Sequence, residues 1–371
     1  MNVTILFGGK SSEHEVSLVS AASVARNLDS TKHKITLIGI AKDGTWYLQS
    51  DDELAQIKKD SSRPLKITED KNQIVCVIPG AGKNSALKTL SGKILPTDIV
   101  FPVLHGMYGE DGTIQGLFEM AEIPYCGCSV ISSSVSMDKE KTKIIWEKYN
   151  LPVVPYLTLK KYRYSSDEDK KSTIEKIEKN FKYPVFVKPA CEGSSVGASK
   201  ADNREELIKA LDEAFVWDEK VLVELCVNAR EVECAVTGNN EVTVYTPGEI
   251  LPTHTFYDYD AKYTDPDGAK LEIPALITQE EKDKIVAIAK KAFKKLDCSG
   301  FSRIDFFIDK DTGAIYLNEI NTIPGFTSIS MFPKMCEASG LKYADLIEKI
   351  LSLGIERFNA RRELKTSLKN N

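Results

Sequence analysis

Asn2 to Phe7 is a short β-rich run that ends in Gly8-Gly9, a helical apolar pattern follows from Val16 to Leu28, and a second strand runs from Lys34 to Ile40. Strand, helix and strand in that order make a βαβ unit and call for a parallel sheet. Asp98 to Leu104 (DIVFPVL) reads as a further buried strand that runs into His105-Gly106 and an acidic, glycine-containing loop. Residues at that point sit at the carboxyl end of a strand, where open α/β sheets bind ligands.

Asp51 to Lys93 is polar and weakly periodic apart from a strand near Ile74 to Ile78, and reads as a peripheral insertion. A second segment opens with a helix from Ile131 through Tyr149, passes Pro152 and Pro155, and contains the strand Tyr183 to Lys188. The Gly/Ser loop CEGSSVG follows, returning into Val196 to Lys200. Leu207, Leu211 and Phe215 then mark a helix, and Val221 to Glu224 a strand. A third segment has strands over Glu231 to Thr237 and Val242 to Leu251. The polar loop from His254 to Pro274 is too long to be idle and reads as a lid. An amphipathic helix on Ile285, Ile288, Ala292, Phe293 and Leu296 precedes strands Phe301 to Ile308 and Ala314 to Glu319, and the tail Asn359 to Asn371 is basic and polar.

At 371 residues the chain has room for two or three domains. A formal charge of −5 lacks the basic footprint of a nucleic-acid binder. No apolar run is long enough for a membrane span, and MNVTILFGGK has no basic n-region, so a cytoplasmic protein is expected. The eight cysteines lack zinc spacing and read as reduced, buried side chains. A Walker A motif and GxGxxG are both missing, which excludes a P-loop NTPase and disfavours a dinucleotide enzyme.

Three clusters carry chemistry. Arg303 and Asp305 are alternate residues of one strand, Glu319 and Asn321 of the next, so pairing the strands brings two carboxylates, an amide oxygen and a guanidinium together. Taken alone, the set reads equally as a cross-strand salt bridge or as a Mg²⁺ site. The NTIPGFTS turn just after it, with its free backbone N–H groups, favours the metal. Lys188 with the loop Glu192 to Gly197 can lay amides and hydroxyls over phosphates. Glu13 and Glu15 enter a helix, and from these residues alone the plainer reading, first-turn acids favoured by the helix dipole, is preferred over an ammonium-binding carboxylate.

Seven motifs, LFGGKSSEHEVS, LHGMYGEDGTIQG, SMDKEKTK, VFVKPACEGSSVG, FYDYDAKY, FSRIDFF and LNEINTIPGFTSIS, closely resemble in this order the D-alanine–D-alanine ligases of the ATP-grasp superfamily, from Asn2 to about Glu356. The resemblance implies a three-domain α/β ATP-grasp fold: residues 1–128 with a parallel sheet and the insertion 51–93, then 129–224, then 225–357 with the lid 254–274, and a tail 358–371. It implies a cytoplasmic homodimer that uses ATP to make D-alanyl-D-alanine through a D-alanyl phosphate, for peptidoglycan precursors. Glu13 would hold the ammonium of the first D-alanine with Ser194 and the lid residue Tyr263. Lys139 and Lys188 would reach the ATP phosphates beneath the loop carrying Glu192 and Ser195, Glu224 would bind adenine, Glu231 the ribose, and Lys262 would approach the γ-phosphoryl group. Asp305, Glu319 and Asn321 would carry two Mg²⁺, with Mn²⁺ as a substitute. Arg303 and the Gly325 N–H would form the oxyanion site, with Ser330 and Met331 facing the second substrate and His105 and Glu110 close to the substrates.

Plainer roles stay open for three of these: Glu110 with Asp111 as a cap into the next helix, Lys139 as a solvated charge, and His105 as a satisfied buried histidine. Leu225, Cys191 and Ile329 stand where many relatives have Lys, Arg and His. Ala261 in the lid matches D-alanine rather than D-serine enzymes of the family, while D-serine and D-lactate ligases, and other ATP-grasp carboxylate–amine ligases, are the alternatives.

Overall fold

The computed structural model describes residues 1–252 and 269–366. The strands Asn2–Gly8 and Lys34–Ile40 pair in parallel across the helix His14–Asn27, as the periodicity requires. Ile99–Val103 joins the other side of Asn2–Gly8, also in parallel, and Trp46–Leu48 closes the far edge antiparallel. Both faces of the central strands are covered, which is why they read as continuous apolar runs. The chain leaves the first strand through Gly8 and Gly9, both at positive φ, and a Cβ on Gly8 would lie 2.3 Å from the Ile40 carbonyl oxygen. Only glycine fits there, and the turn it permits delivers Glu13 to the carboxyl edge of the sheet.

Residues 51–93 are less peripheral than their polarity implies. They form the helix Asp51–Lys59 and a hairpin of Val75–Val77 with Leu87–Thr89. Ile57 and Leu65 are fully buried in the core of the parallel sheet, and Ile67 lies against Gly39. Isolated apolar residues act as plugs here without generating a period.

The helix expected from Ile131 to Tyr149 is two helices, Val130–Met137 and Lys139–Lys148, broken at Asp138. The Asp138 carboxylate accepts from the N–H groups of Glu140 and Lys141 and so caps the second helix, and Lys220 pairs with the same carboxylate. Lys139 is thereby fixed as the first residue of a helix. The strands Tyr156–Lys160, Lys220–Leu225, Val185–Pro189 and Ser199–Ala201 form an antiparallel sheet in that spatial order, backed by the helix Arg204–Trp217, whose Leu207, Leu211 and Ala214 are fully buried.

The third sheet orders Ala269–Glu272, Gly248–Pro252, Ala229–Gly238, Gly300–Asp309 and Ile315–Asn321, all antiparallel, with Val242–Val244 on the end of Ala229–Gly238. The single strand expected over Val242 to Leu251 is interrupted around Pro247, which has no N–H to give a ladder. Ala269–Glu272, expected inside the long loop, is a strand paired with Gly248–Pro252. Residues 254–268 of the expected lid lie outside the described residues. The helix Gln279–Lys295 starts at a capping box of Thr278 and Glu281 and buries Ile285, Ala289, Ala292 and Phe293.

The last helix, Tyr343–Arg362, runs on through residues expected in the tail, with Arg361 and Arg362 paired to Glu119 and Glu122. Its Leu346, Ile347, Ile350 and Leu351 join the core that holds Ile5 and Phe101. Phe326 sits between the first and third sheets, its ring edge-on to Phe101 at 5.7 Å and to Phe301 at 5.5 Å, with Phe332 5.3 Å away. No helix among the described residues is long and apolar enough to cross a membrane.

Phe326→Ala should cost about 3–5 kcal/mol of unfolding free energy in a urea titration, since the ring is fully buried and its neighbours belong to two sheets. A loss below about 1 kcal/mol would mean that this cluster does not hold the sheets together.

Candidate active site

A cavity of about 850 Å³ opens between the carboxyl edge of the parallel sheet and the face of the third sheet, with Glu13, Lys139, Glu231, Arg303, Asn321 and Ser330 on its walls. Glu13 is buried. Its carboxylate accepts the Ser194 hydroxyl at 2.5 Å and lies between two glycine backbones: a Cβ on Gly106 would come within 2.7 Å of Oε2, and one on Gly193 within 3.1 Å. Glu15 instead pairs with Lys42 at 2.8 Å, its side chain 63% exposed. The two acids are therefore not equivalent, and Glu13 is more than a first-turn charge. Ser194 and Ser195 both hold left-handed backbone, φ +49° and +61°, which costs a side-chain-bearing residue about 1–2 kcal/mol each. That conformation carries the Ser194 hydroxyl to Glu13.

His105 is buried with both ring nitrogens engaged by the protein, Nδ1 with the Ile323 carbonyl at 2.9 Å and Nε2 with the Ser20 hydroxyl at 3.2 Å. A carbonyl can only accept, so Nδ1 carries the hydrogen. Burial pushes the ring pKa down and keeps it neutral. Glu110 does not cap the following helix, whose N-cap is Gly112, but Asp111 does reach that helix and accepts the N–H of its first residue, Thr113, at 2.9 Å; the role of Glu110 is a different one. Its carboxylate accepts from the Gly106 N–H at 3.2 Å, the Ile323 N–H at 2.8 Å and the Thr322 hydroxyl at 3.3 Å. Both residues thus tie the loop after Leu104 to the turn after Asn321. Burial, helped by the charge of Glu13, raises the Glu110 carboxyl to about 7.

The strand register sets Arg303 opposite Asn321 and Asp305 opposite Glu319, so the four side chains converge as their alternation requires. The salt bridge that the sequence left open is present both along the strand and across strands: Arg303 Nε and Nη2 donate to the two Asp305 oxygens at 2.7 and 2.6 Å. Glu233, on the neighbouring strand, lies 3.1 Å from Arg303 Nε. Burial works against the guanidinium charge, but Asp305 and Glu233 outweigh it and raise its pKa. Asn321 Nδ2 donates to Asp305 at 3.0 Å. Glu233 escaped the sequence reading; its signal was the alternation Glu231-Val232-Glu233, which puts both acids on one strand face.

No group of three or more His, Cys, Asp and Glu side chains among the described residues is arranged as a metal cage. The donors offered are Asp305 and Glu319 facing across the strand pair with the Asn321 amide beside them. Two hard carboxylates and one amide oxygen, with positions left for water and phosphate, fit Mg²⁺ rather than a softer ion.

Lys139 is not a solvated charge: its side chain is 11% exposed, its ammonium donates to the Glu192 carbonyl and lies 4.0 Å from Glu319. Burial raises the Glu192 carboxyl and Lys139 opposes it. Lys188 and Glu224 are both buried, on neighbouring strands, and pair at 2.9 Å, with the Asn318 side-chain oxygen 3.1 Å from the same ammonium. The second Glu224 oxygen is taken at 3.0 Å by Lys143, which is fully buried. Burial opposes the Glu224 charge, but Lys143 and Lys188 outweigh it and hold the carboxyl below its ordinary range. Lys143 was not foreseen. Its signal was its place one residue after Thr142 and three before Trp146, both on the buried face of the same helix.

At the turn beyond Asn321, a Cβ on Gly325 would stand 2.8 Å from the Ser330 hydroxyl, and Ser330 accepts the Thr327 N–H at 3.0 Å. Met331 is buried with its methyl against Gly248, where a Cβ would be 2.3 Å away. Tyr263 and Lys262 lie outside the described residues.

Glu110 gives a pH signature. Between the ordinary value of 4.5 and about 7, the folded protein keeps a proton that the unfolded chain has released. Stability therefore falls as pH rises through that window, by on the order of 3 kcal/mol. In urea titrations at pH 5 and pH 8, Glu110→Gln should lose less stability than wild type over the same interval. Identical pH dependence in both proteins would show that Glu110 is already ionised at pH 5.

Residues 2–128 match the family model described as D-ala D-ala ligase N-terminus, and residues 145–352 the one described as D-ala D-ala ligase C-terminus. A D-alanine--D-alanine ligase of Treponema denticola is 57% identical over 366 residues, covering 99% of each chain. One of Caldicellulosiruptor bescii is 46% identical over 370 residues, covering 99% of this chain and 98% of the relative. The solved D-alanine-D-alanine ligase from Coxiella burnetii superposes with a TM-score of 0.79 at 33% identity, covering 98% of this chain and 97% of the other. The VanG D-Ala:D-Ser ligase from Enterococcus faecalis superposes with 0.78 at 36% identity, covering 95% and 99%. The fold is that of the ATP-grasp enzymes, and the chain belongs to the D-alanine–D-alanine ligase family.

Proposed function

We propose that this chain is a D-alanine–D-alanine ligase, joining two D-alanines at the expense of ATP for peptidoglycan precursors, as a cytoplasmic homodimer. The observation that carries the reading is one cavity with two unlike walls: a buried carboxylate clasped by Ser194 on one side, and Arg303 with Asp305, Glu319 and Asn321 on the other. The walls come from units taken as 1–128, 129–224 and 225–357. Support for the location is the lack of a membrane-crossing helix among the described residues, and for the homodimer the family resemblance.

An amine cannot displace oxide from a carboxylate, so the carboxylate has to be activated first. A carboxylate oxygen of the first D-alanine attacks the γ-phosphorus of ATP, ADP leaves, and an acyl phosphate results. The amine of the second D-alanine then attacks the acyl carbon, and the tetrahedral oxyanion collapses with loss of phosphate and of the amine's proton. Glu13 binds the first ammonium, its charge kept from turning away by the Gly106 and Gly193 backbones. Lys139 and Lys188 meet the phosphates beneath the Glu192–Ser195 loop, and Glu224 and Glu231 meet adenine and ribose. Arg303, with the Gly325 N–H, donates to the oxyanion, and Ser330 and Met331 border the second substrate. His105 and Glu110 act by holding the turn that carries Gly325. Asp305, Glu319 and Asn321 would hold two Mg²⁺, or Mn²⁺ in their place, which when bound would neutralise charge on the phosphates during transfer. Lys262 and Tyr263 complete the set from outside the described residues.

Arg303→Lys tests the oxyanion role. It keeps the positive charge that Asp305 and Glu233 require but loses the planar fork. Turnover should fall ~100-fold or more with the thermal midpoint nearly unchanged. Turnover within a few-fold of wild type would remove Arg303 from that role.

The acceptor is tested by mass spectrometry of products from ATP, Mg²⁺ and equal D-alanine, D-serine and D-lactate. Met331 offers an added hydroxyl no partner and the Ser330 hydroxyl is already engaged with Thr327, and such a pocket rejects a hydroxylated isostere by only ~10- to 100-fold. D-alanyl-D-alanine should therefore dominate, with D-alanyl-D-serine appearing when D-serine is in excess. A mixture dominated by D-alanyl-D-serine at equal concentrations would make this a D-serine ligase.

A further inference from the structure

Lys143 lies one helical turn beyond Lys139, yet no part of its side chain reaches solvent or the cavity wall. Its ammonium sits 3.0 Å from Glu224 Oε1, with the Val154 carbonyl 3.4 Å away and the Tyr156 ring at 5.4 Å. Glu224 Oε2 holds Lys188 at 2.9 Å. Burying a lysine in this way gives little stability, because the desolvation cost of an ion pair offsets its attraction and apolar replacements do as well or better. Packing alone thus leaves the residue unexplained, and its effect on the charge of its neighbours does not.

With two lysines on one carboxylate the buried group carries an excess of positive charge; burial pulls the Lys143 pKa down, and Glu224 and Glu147 oppose it. Without Lys143, Glu224 and Lys188 would form a neutral pair, and Lys188 would offer a phosphate chain only a dipole. We infer that Lys143 is a positioning residue for nucleotide: it balances the charge of Glu224 from behind, so that Lys188, one strand away, stays effectively cationic toward the polyphosphate. The inference rests on the reading that places ATP phosphates at Lys188, and it names a residue that acts on the nucleotide without touching it.

Equilibrium binding of Mg²⁺-ATP and of adenosine to the full-length protein, without D-alanine, separates charge from shape. K143M should weaken ATP about 10- to 100-fold, the scale of one partly buried unit charge, while changing adenosine less than about 3-fold. K143M/E224Q, which removes both charges and leaves Lys188 unopposed, should bring the ATP-to-adenosine affinity ratio back toward wild type even where both ligands bind more weakly. K143Q carries the same expectation as K143M and serves if the methionine variant does not fold. An equal loss for ATP and adenosine, or a double variant with the ratio of K143M, would assign Lys143 to packing and overturn the inference. A wild-type protein that does not bind ATP would overturn the functional reading beneath it, a result distinguishable because it needs no variant.

Discussion

The contact on which the rest of this structure depends is the edge-on packing of Phe326 against Phe101 and Phe301. Phe101 belongs to the parallel sheet and Phe301 to the strand that carries Arg303 and Asp305, while Phe326 follows Gly325 in the turn after Asn321. One buried ring therefore sets the distance between the two walls of the cavity. The polar contacts of the same turn are second to it in energy but not in direction. His105 takes the Ile323 carbonyl and Glu110 the Ile323 N–H, so both backbone groups of one residue are fixed from the opposite sheet. Aromatic burial supplies the free energy and these hydrogen bonds supply the orientation.

The buried charges divide into two groups of opposite sign. Arg303 is shared between Asp305 and Glu233, with Glu319 facing Asp305 across the strands, which leaves an excess of negative charge there. Glu224 is shared between Lys143 and Lys188, which leaves an excess of positive charge. Neither group is neutral, and an isolated buried excess charge is costly, so the first is suited to a cation and the second to an anion. The divalent cation and polyphosphate of the proposed reaction are such a pair, and Lys139 lies 4.0 Å from Glu319 and bonds to the Glu192 carbonyl.

What the sequence allowed one to read, and what it did not, follows from the range of the interactions involved. Alternation within two consecutive strands was enough to bring Arg303, Asp305, Glu319 and Asn321 together, because a period of two fixes the face and a short connection fixes the pairing. Glu13 was beyond reach on those terms: its burial is made by Gly106, Gly193 and Ser194, all distant in the chain, and only the motif resemblance singled it out. The break at Asp138 was missed because a capping aspartate inside a polar helical stretch leaves the apolar spacing intact. Ile57 and Leu65 were missed for the converse reason, since single plugs in a polar stretch have no spacing to recognise.

Several departures from local rules fall together around Glu13. Ser194 and Ser195 hold backbone suited to glycine, while a Cβ on Gly106 would strike the carboxylate and one on Gly193 would crowd it. Each feature is unfavourable or costly by itself, and each is repaid only if the carboxylate has to be both buried and unable to rotate. A carboxylate that merely capped a helix would need none of them, as Glu15 shows by pairing with Lys42 at the surface. Strain concentrated on one charged group is what a rigid binding site for an opposite charge requires, because a charge held in place before the ligand arrives loses no free energy to reorientation when it binds.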